Sequence, residues 1–460
     1  MRIPVIRVLL TSALLVWVAG PAAAQIPVLT LEDALRRAEA QSESMTIAGA
    51  AQSRAQADLG RANSQRYPQV FFAGTYDRTL ASEFSGIFDT VGSNGSGDNG
   101  TDFSELPFGQ ANTYRFNFSL SQSLYTAGRI GAQREQAAAG IRAAELGAAA
   151  VRALMQLDVT RAFYDAALSD RLAAIAQSGY EQADAAYQQT RQSYDAGRLP
   201  EFEVLRAQVQ RDNQRPTVIR ARANRDAAYL RLRQLLELPA DAPLRLDVDL
   251  EAADLAAPAP FAAALDEVQQ SAALAFRTAI EQAQLAVRVR ELGITVVESG
   301  RKPAVSFVSS YGITNYPDNI YPDLGKLRNN WTLGAQVTMP VFRGFLVRAE
   351  TRAARADLTE AEARLKQARE QAGLQRATAL QDLEAARAAW DATASTIAQA
   401  RRAYEIAELR FREGLSTQLE LSDSRLALQS AQANRAQAAR DLQLTRARVA
   451  LLPNLPVGGQ

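Results

Sequence analysis

The 460-residue chain contains two copies of one large unit, and this duplication constrains its fold more than any other feature. Three motifs of the first half recur in the second half at offsets of 235, about 217 and 217 residues. Similarity at so long an offset indicates two copies of a large repeat and not a short-period solenoid. In chain order, Arg66-Tyr67-Pro68 matches Arg301-Lys302-Pro303, Leu124-Tyr125-Thr126-Ala127-Gly128 matches Val341-Phe342-Arg343-Gly344, and Tyr194-Asp195-Ala196-Gly197 matches Phe411-Arg412-Glu413-Gly414.

The N-terminus has the pattern of a secretory signal peptide. Arg2 and Arg7 precede the apolar run Val8–Val18, and small residues up to Ala24 provide a cleavage site. The apolar run is much shorter than the roughly 20 residues that a transmembrane helix needs. We therefore expect residues 1–24 to be a signal peptide.

The absence of certain residue types excludes several classes of function. The chain has no histidine and no cysteine, so disulfides, thiolate chemistry, Ser-His-Asp triads and lipid attachment to an N-terminal cysteine are impossible. Without Arg2 and Arg7, 49 basic residues face 50 acidic ones, so the mature chain has no basic surplus for nucleic acid. The Gly-rich stretch Gly95–Thr101 lacks the lysine of a P-loop and is predicted to belong to an exposed loop, Ser82–Ala111. We expect no enzymatic activity, cofactor, metal site or nucleic-acid partner.

Each repeat carries two stretches in which apolar and polar residues alternate. The clearest runs over residues 113–121, where Tyr114, Phe116, Phe118 and Leu120 share one face. Strands of about ten residues with one apolar face are typical of transmembrane β-strands. A soluble antiparallel sheet with one buried face is the alternative. The predicted strands are 69–79, 113–121, 304–313 and 330–338.

Very long helices follow the strands. Residues 128–196 and 344–413 contain no proline and each predict a helix of about 100 Å. Gly197 and Gly414 end them, and a returning helix follows in each repeat. Leucine or valine recurs every seven residues in the last helix, which is typical of supercoiled packing, at Leu421, Leu428, Leu442 and Val449, with Arg435 interrupting.

The predicted organisation follows from these elements. The segments are the signal peptide 1–24, a first repeat 25–238 with helices 128–196 and 202–236, a linker 239–260, a second repeat 261–452 with helices 344–413 and 419–452, and a tail 453–460. Four strands are too few to close a barrel in lipid, since eight is the usual minimum, and open edges are costly there. Three copies would supply twelve strands. The predicted fold is mainly α with membrane β: a duplicated helix–strand–strand–helix unit that forms a homotrimeric 12-stranded β-barrel continuous with a long periplasmic α-helical barrel.

The signal peptide, the duplicated unit and the Tyr-Pro, Leu-Tyr-x-x-Gly and Tyr-x-x-Gly junctions resemble those of the TolC family of outer-membrane efflux proteins. The resemblance covers Leu29–Leu452. It implies a trimeric channel-tunnel in the outer membrane of a Gram-negative bacterium, with its helical part in the periplasm. It further implies a passive exit duct for drug efflux or type I protein secretion. The implied partners are outer-membrane lipid, a periplasmic adaptor and an inner-membrane transporter of RND or ABC type. A periplasmic adaptor or a structural coiled-coil envelope protein is the alternative, but neither accounts for four amphipathic strands.

The resemblance also implies functional residues near the helix ends. Glu420 and Asp423, spaced to share one helix face, match two acids that ring the periplasmic constriction, although their pattern alone favours solvated surface carboxylates. Glu203 matches an acid of the closing network, whereas Phe411 and Ser416 replace the tyrosine and the arginine of that network. The turns match the region that contacts the adaptor, with contact residues Gly197, Arg198, Leu199, Gly414, Leu415 and Ser416.

Overall fold

A computed structural model describes residues 28–81, 111–252, 255–270, 277–317, 319–325 and 327–457. The predicted signal peptide, residues 1–24, and residues 82–110 of the predicted loop lie outside the described residues.

Two helices precede the first strand. Helix α1 (Leu31–Gln41) follows the short strand β1 (Val28–Leu29), and helix α2 (Glu43–Ser64) follows α1. The Thr30 hydroxyl oxygen accepts the Asp33 N–H at 3.1 Å, and the hydroxyl donates to the Asp33 carboxylate at 2.8 Å. Hydrogen bonds from Thr30 and Arg36 hold the pKa of the Asp33 carboxyl below its usual range. Thr30 therefore caps the N-terminus of α1.

Four strands form one antiparallel sheet. They are β2 (Gln69–Arg78), β3 (Asn112–Tyr125), β5 (Ala304–Asn315) and β6 (Leu327–Thr338), in the order β2-β3-β5-β6. Strand β3 continues beyond the predicted residue 121, because its pairing with β5 proceeds through polar residues to Ser123 and, past an irregularity, to Tyr125. The apolar alternation that marks a strand in the sequence ends before the ladder does. A further short strand, β4 (Arg245–Leu246), pairs in parallel with β1 inside the predicted linker.

The sheet has one apolar and one polar face. Directly paired residues share a face, so the register assembles rows of side chains across all four strands. A cavity of about 380 Å³ lies over the polar face. One apolar row consists of Phe72, Phe118, Tyr311 and Trp331, and one polar row of Ala73, Asn117, Gly312 and Asn330.

The remaining helices include two of equal, unusual length. Helix α3 (Arg129–Asp195) and its counterpart α7 (Leu346–Arg412) each contain 67 residues. The returning helices are α4 (Glu201–Leu235) and α8 (Gln418–Leu451), while α5 (Ala262–Gln270) and α6 (Thr278–Ser299) precede β5. Among the described residues, no helix combines the length and the apolar composition needed to cross a bilayer. The predicted order of helix, two strands and long helices is therefore present in both halves.

The chain divides into two compact units, and each contains segments of both sequence repeats. One comprises the described residues within Met1–Ala38, Val159–Ala256 and Thr393–Arg440; the other comprises those within Glu39–Asp158, Ala257–Ala392 and Asp441–Gln460. The first unit contains the fully buried side chains Phe163, Leu232 and Leu236. The second, which contains the four-stranded sheet, contains the buried Leu442 and Val449.

The seven-residue stripe predicted in the last helix is buried along α8. Leu421, Leu428, Leu442 and Val449 are at most 6% exposed. Arg435, which interrupts the stripe, is 8% exposed, and its Nη1 donates to the Thr393 hydroxyl at 3.2 Å. Long helices of this kind need continuous packing, because local propensity cannot stabilise them in water.

Candidate functional site

The turn between α7 and α8 and the turn between α3 and α4 have the same geometry. Gly414 and Gly197 both have φ of +73°, which glycine adopts without steric cost. The N–H of Leu415 donates to the Arg410 carbonyl at 2.7 Å, and that of Arg198 to the Ser193 carbonyl at 2.9 Å. These bonds form the Schellman arrangement that closes a helix C-terminus. Glycine at both positions therefore explains why the two long helices end where they do.

A threonine cap starts α8 and positions the two predicted constriction acids. The Thr417 hydroxyl accepts the N–H of Glu420 at 3.3 Å. Glu420 and Asp423 are both exposed, while Leu421 and Ser422 between them are buried. The structure therefore places both carboxylates on one solvent-facing side of the first turns of α8.

Arg410, which sequence reasoning missed, is the partner of Glu420. Its Nη1 lies 3.2 Å from Glu420 Oε1, and its Nη2 donates to the Leu415 carbonyl at 3.4 Å. The guanidinium thus joins the last turn of α7 to the first turn of α8. The two side chains are 50% and 45% exposed, so water screens the pair. The only sequence signal was a basic and an acidic residue on either side of the Gly414 turn.

Phe411 and Ser416, which the resemblance marks as departures from the family pattern, lie close to this same turn. The Ser416 hydroxyl donates to the carbonyl of Ala407, five residues before the end of α7, at 3.4 Å. Phe411 is half-buried, and its carbonyl accepts the Gly414 N–H at 3.0 Å. Ser416 therefore contributes to the turn itself.

Gln418 links this turn to the start of α4, a contact that the sequence did not indicate. Its side chain is 5% exposed. In the amide orientation that gives both side-chain polar atoms a hydrogen-bond partner, Nε2 donates to the Glu203 carbonyl at 3.2 Å and Oε1 accepts the Ala207 N–H at 3.3 Å. In the described part of the chain, the structure gives the carboxylates of Glu203 and Asp423 no hydrogen bond or ion pair. The main chain of Glu203, and not its carboxylate, is thus brought to α8.

A buried arginine lies two residues after Asp423 on α8. Arg425 is 4% exposed, and Nη2 approaches the Ser422 hydroxyl at 3.5 Å, while Nε has no hydrogen-bond partner among the described residues. Burial lowers the pKa of this guanidinium and raises the pKa of the neighbouring Tyr404 hydroxyl. A positive charge therefore lies within α8 close behind the acidic pair.

Both turns are open to solvent. Gly197, Arg198 and Gly414 are exposed, and Leu199 is half-buried. Leu415 is 69% exposed, and Phe202 at the start of α4 is 65% exposed. Apolar side chains on exposed turns can supply the central contacts of a protein interface.

Comparisons with known proteins agree with this architecture. The family model "outer membrane efflux protein" matches residues 34–237 and 270–454. No curated protein sequence gives a significant match.

Solved structures share the fold at low sequence identity. VceC from Vibrio cholerae is 17% identical over 92% of this chain and 96% of its own, with a TM-score of 0.73. CmeC from Campylobacter jejuni is 15% identical over 94% and 87%, with a TM-score of 0.71. The open state of MtrE from Neisseria gonorrhoeae is 18% identical over 92% and 89%, with a TM-score of 0.71. The resemblance to TolC-type proteins is thereby confirmed, and the chain belongs to the outer membrane efflux protein family.

Proposed function

We propose that three copies of this chain form the outer-membrane exit duct of a tripartite efflux or type I secretion system. The duct is passive. An inner-membrane transporter of RND or ABC type drives solutes into it through a periplasmic adaptor. The observation that carries the proposal is the four-stranded sheet, whose edge strands pair on one side only within the described residues and whose two faces differ in polarity.

The edges of the sheet argue for assembly. Within the described residues, β2 and β6 each pair on one side only. In lipid, each unsatisfied backbone group costs several kcal/mol, so the edges must pair with neighbouring copies. Three copies supply twelve strands, in which β6 of one copy pairs with β2 of the next. The number three rests on this closure and on the family resemblance.

The difference in polarity indicates which face of the sheet contacts lipid and which lines the lumen. The apolar face carries the Phe72, Phe118, Tyr311 and Trp331 row and contacts lipid. The polar face carries Asn117, whose Oδ1 accepts a hydrogen bond from the Ser310 hydroxyl at 2.7 Å, and lines the channel. Alternation of this kind is the pattern of transmembrane β-strands.

The helix turns supply the gate and the docking surface. Glu420 and Asp423 of three copies ring the constriction, and Glu203, Phe411 and Ser416 lie in its closing network. Arg410 joins this set because it pairs with Glu420 within the chain. The exposed turns that contact the adaptor comprise Gly197, Arg198, Leu199, Gly414, Leu415 and Ser416.

The two sequence repeats are proposed as the evolutionary and structural halves of the duct. They span residues 25–238 and 261–452, with 239–260 as the linker. The matching 67-residue helices, one in each repeat, support this division.

Single-channel conductance tests the proposal. Mature protein is purified in detergent, its mass is measured to determine the oligomer, and it is added to planar bilayers in a potassium chloride gradient. A trimer with discrete conductance steps is expected, and its cation preference falls in Glu420→Gln/Asp423→Asn. A folded monomer that gives no conductance with or without the two substitutions would contradict the duct.

A further inference from the structure

Two arginines fall in one row on the polar face of the sheet. The register pairs Thr75 with Arg115, Arg115 with Thr314, and Thr314 with Arg328. Arg115 on β3 and Arg328 on β6 therefore share a face and stand two strands apart, about 10 Å at the usual strand spacing. We call these two residues the arginine row.

The row lies on the face of the sheet that carries the cavity. Arg115 lines the cavity of about 380 Å³, together with Asn117, Thr314 and Asn330. Its Nη1 lies 2.8 Å from Asp77 Oδ2, and both side chains are more than half exposed. The Arg328 guanidinium lies 5.8 Å from the centre of the Tyr316 ring, within cation–π range.

Charge on this face is confined to one end. Along the four strands, the charged residues of the polar face are Asp77, Arg115 and Arg328, which leaves one positive charge per chain. Arg115 lies three residues from the start of β3, and Arg328 is the second residue of β6. Helices α2 and α3 adjoin the opposite end of β2 and β3, so the row lies at the end of the sheet remote from those helices.

We propose that the arginine row is an anion-attracting element of the lumen, which favours export of solutes that bear carboxylate, phosphate or sulfonate groups. The inference rests on the proposed function, because three copies must close for the row to encircle a lumen. Guanidinium groups donate paired hydrogen bonds to planar and tetrahedral oxyanions and stay charged at every physiological pH. Lumen-facing substitutions in transmembrane strands tune selectivity.

The test compares Arg115→Gln/Arg328→Gln with wild-type and with Arg78→Gln. Arg78 is an exposed arginine at the end of β2 whose register parity puts it on the opposite face, so it controls for loss of charge alone. The Arg115–Asp77 pair is well solvated, so its loss leaves the sheet folded. The segment 82–110 contributes five acids and no base. The readout is therefore the difference between variants and not the wild-type selectivity.

Reversal potentials in a potassium chloride gradient are measured first. The double variant is expected to shift towards cations, while Arg78→Gln does not shift. Binding of sodium tripolyphosphate to the detergent-solubilised trimer is then measured by calorimetry, which needs no open gate. About tenfold weaker binding is expected in the double variant alone, and the difference should shrink at high salt.

Three results distinguish the proposals. Equal tripolyphosphate binding in wild-type and double variant would overturn the arginine row, whatever the conductance. Equal reversal potentials in channels of normal conductance would overturn it as well, and would leave the duct intact. A wild-type protein that neither forms trimers nor conducts would overturn the proposed function, and the row with it.

Discussion

Replacing Arg410 by glutamine tests whether a counter-ion within each chain sets the charge of the constriction. Glu420, Asp423 and Arg410 together carry −1 per chain, hence −3 in three copies. Arg410→Gln changes this to −6, whereas Glu420→Gln changes it to zero. The double substitution Arg410→Gln/Glu420→Gln returns the sum to −3.

The size of the effect follows from Coulomb's law. The Coulomb energy between a unit charge and an ion about 8 Å away is about 0.5 kcal/mol in water. The Debye length at physiological ionic strength is also about 8 Å, so screening reduces this energy to about a third. Three added charges therefore stabilise a cation by about 0.6 kcal/mol and disfavour an anion equally. The cation-to-anion permeability ratio should rise about sevenfold in Arg410→Gln. The stability of the protein should change by less than about 1 kcal/mol, since the 3.2 Å pair is half exposed.

Reversal potentials in bilayers measure this ratio for the wild-type, both single variants and the double variant. We expect Arg410→Gln to be the most cation-selective, Glu420→Gln the least, and the double variant to match the wild-type. Arg402→Gln is the matched control, because Arg402 is an exposed arginine of α7 paired with Glu405 at 3.4 Å. If the double variant retained the selectivity of either single variant, charge summation at this turn would be refuted.

Three further substitutions test the packing of the first compact unit, each by urea unfolding in detergent. Tyr229→Phe should lower the free energy of unfolding by about 1–2 kcal/mol, because the Tyr229 hydroxyl donates to Asp170. The loss is no larger because water can partly replace the hydroxyl at this carboxylate. Burial raises the pKa of Tyr229, so its stabilisation is complete below about pH 10 and is lost as the pH rises further; Tyr229→Phe should lessen this alkaline loss. Asp165→Asn should cost about 1–3 kcal/mol, since Asp165 Oδ1 accepts from Arg440 Nε at 2.8 Å and the two side chains are only 31% and 27% exposed. Phe163→Ala should cost about 3–5 kcal/mol, because the ring is 1% exposed; a loss below 1 kcal/mol in either of the last two would contradict the packing described.

The sequence predicted those parts of the fold that local pattern encodes. The alternation from Tyr114 to Leu120 predicted a strand, because a period of two places one face against an apolar medium. Glycine at 197 and 414 predicted the helix ends, because a left-handed turn is cheap only for glycine. The duplication predicted equal helices, and both contain 67 residues. The roles of Glu420, Asp423 and the turn residues stay predictions.

The tertiary structure decided which distant residues meet. The pairing of β3 with β5 joins the two repeats in one sheet, and it places Arg115 and Arg328 in one row although 213 positions separate them. The Arg410–Glu420 pair forms because the Gly414 turn brings the end of α7 to the start of α8. The contact of Gln418 with Glu203 and Ala207 forms because α8 approaches α4. Local periodicity is set by backbone geometry within a few residues, so a sequence displays it directly. Contacts between elements depend instead on register and packing, which only the folded chain determines.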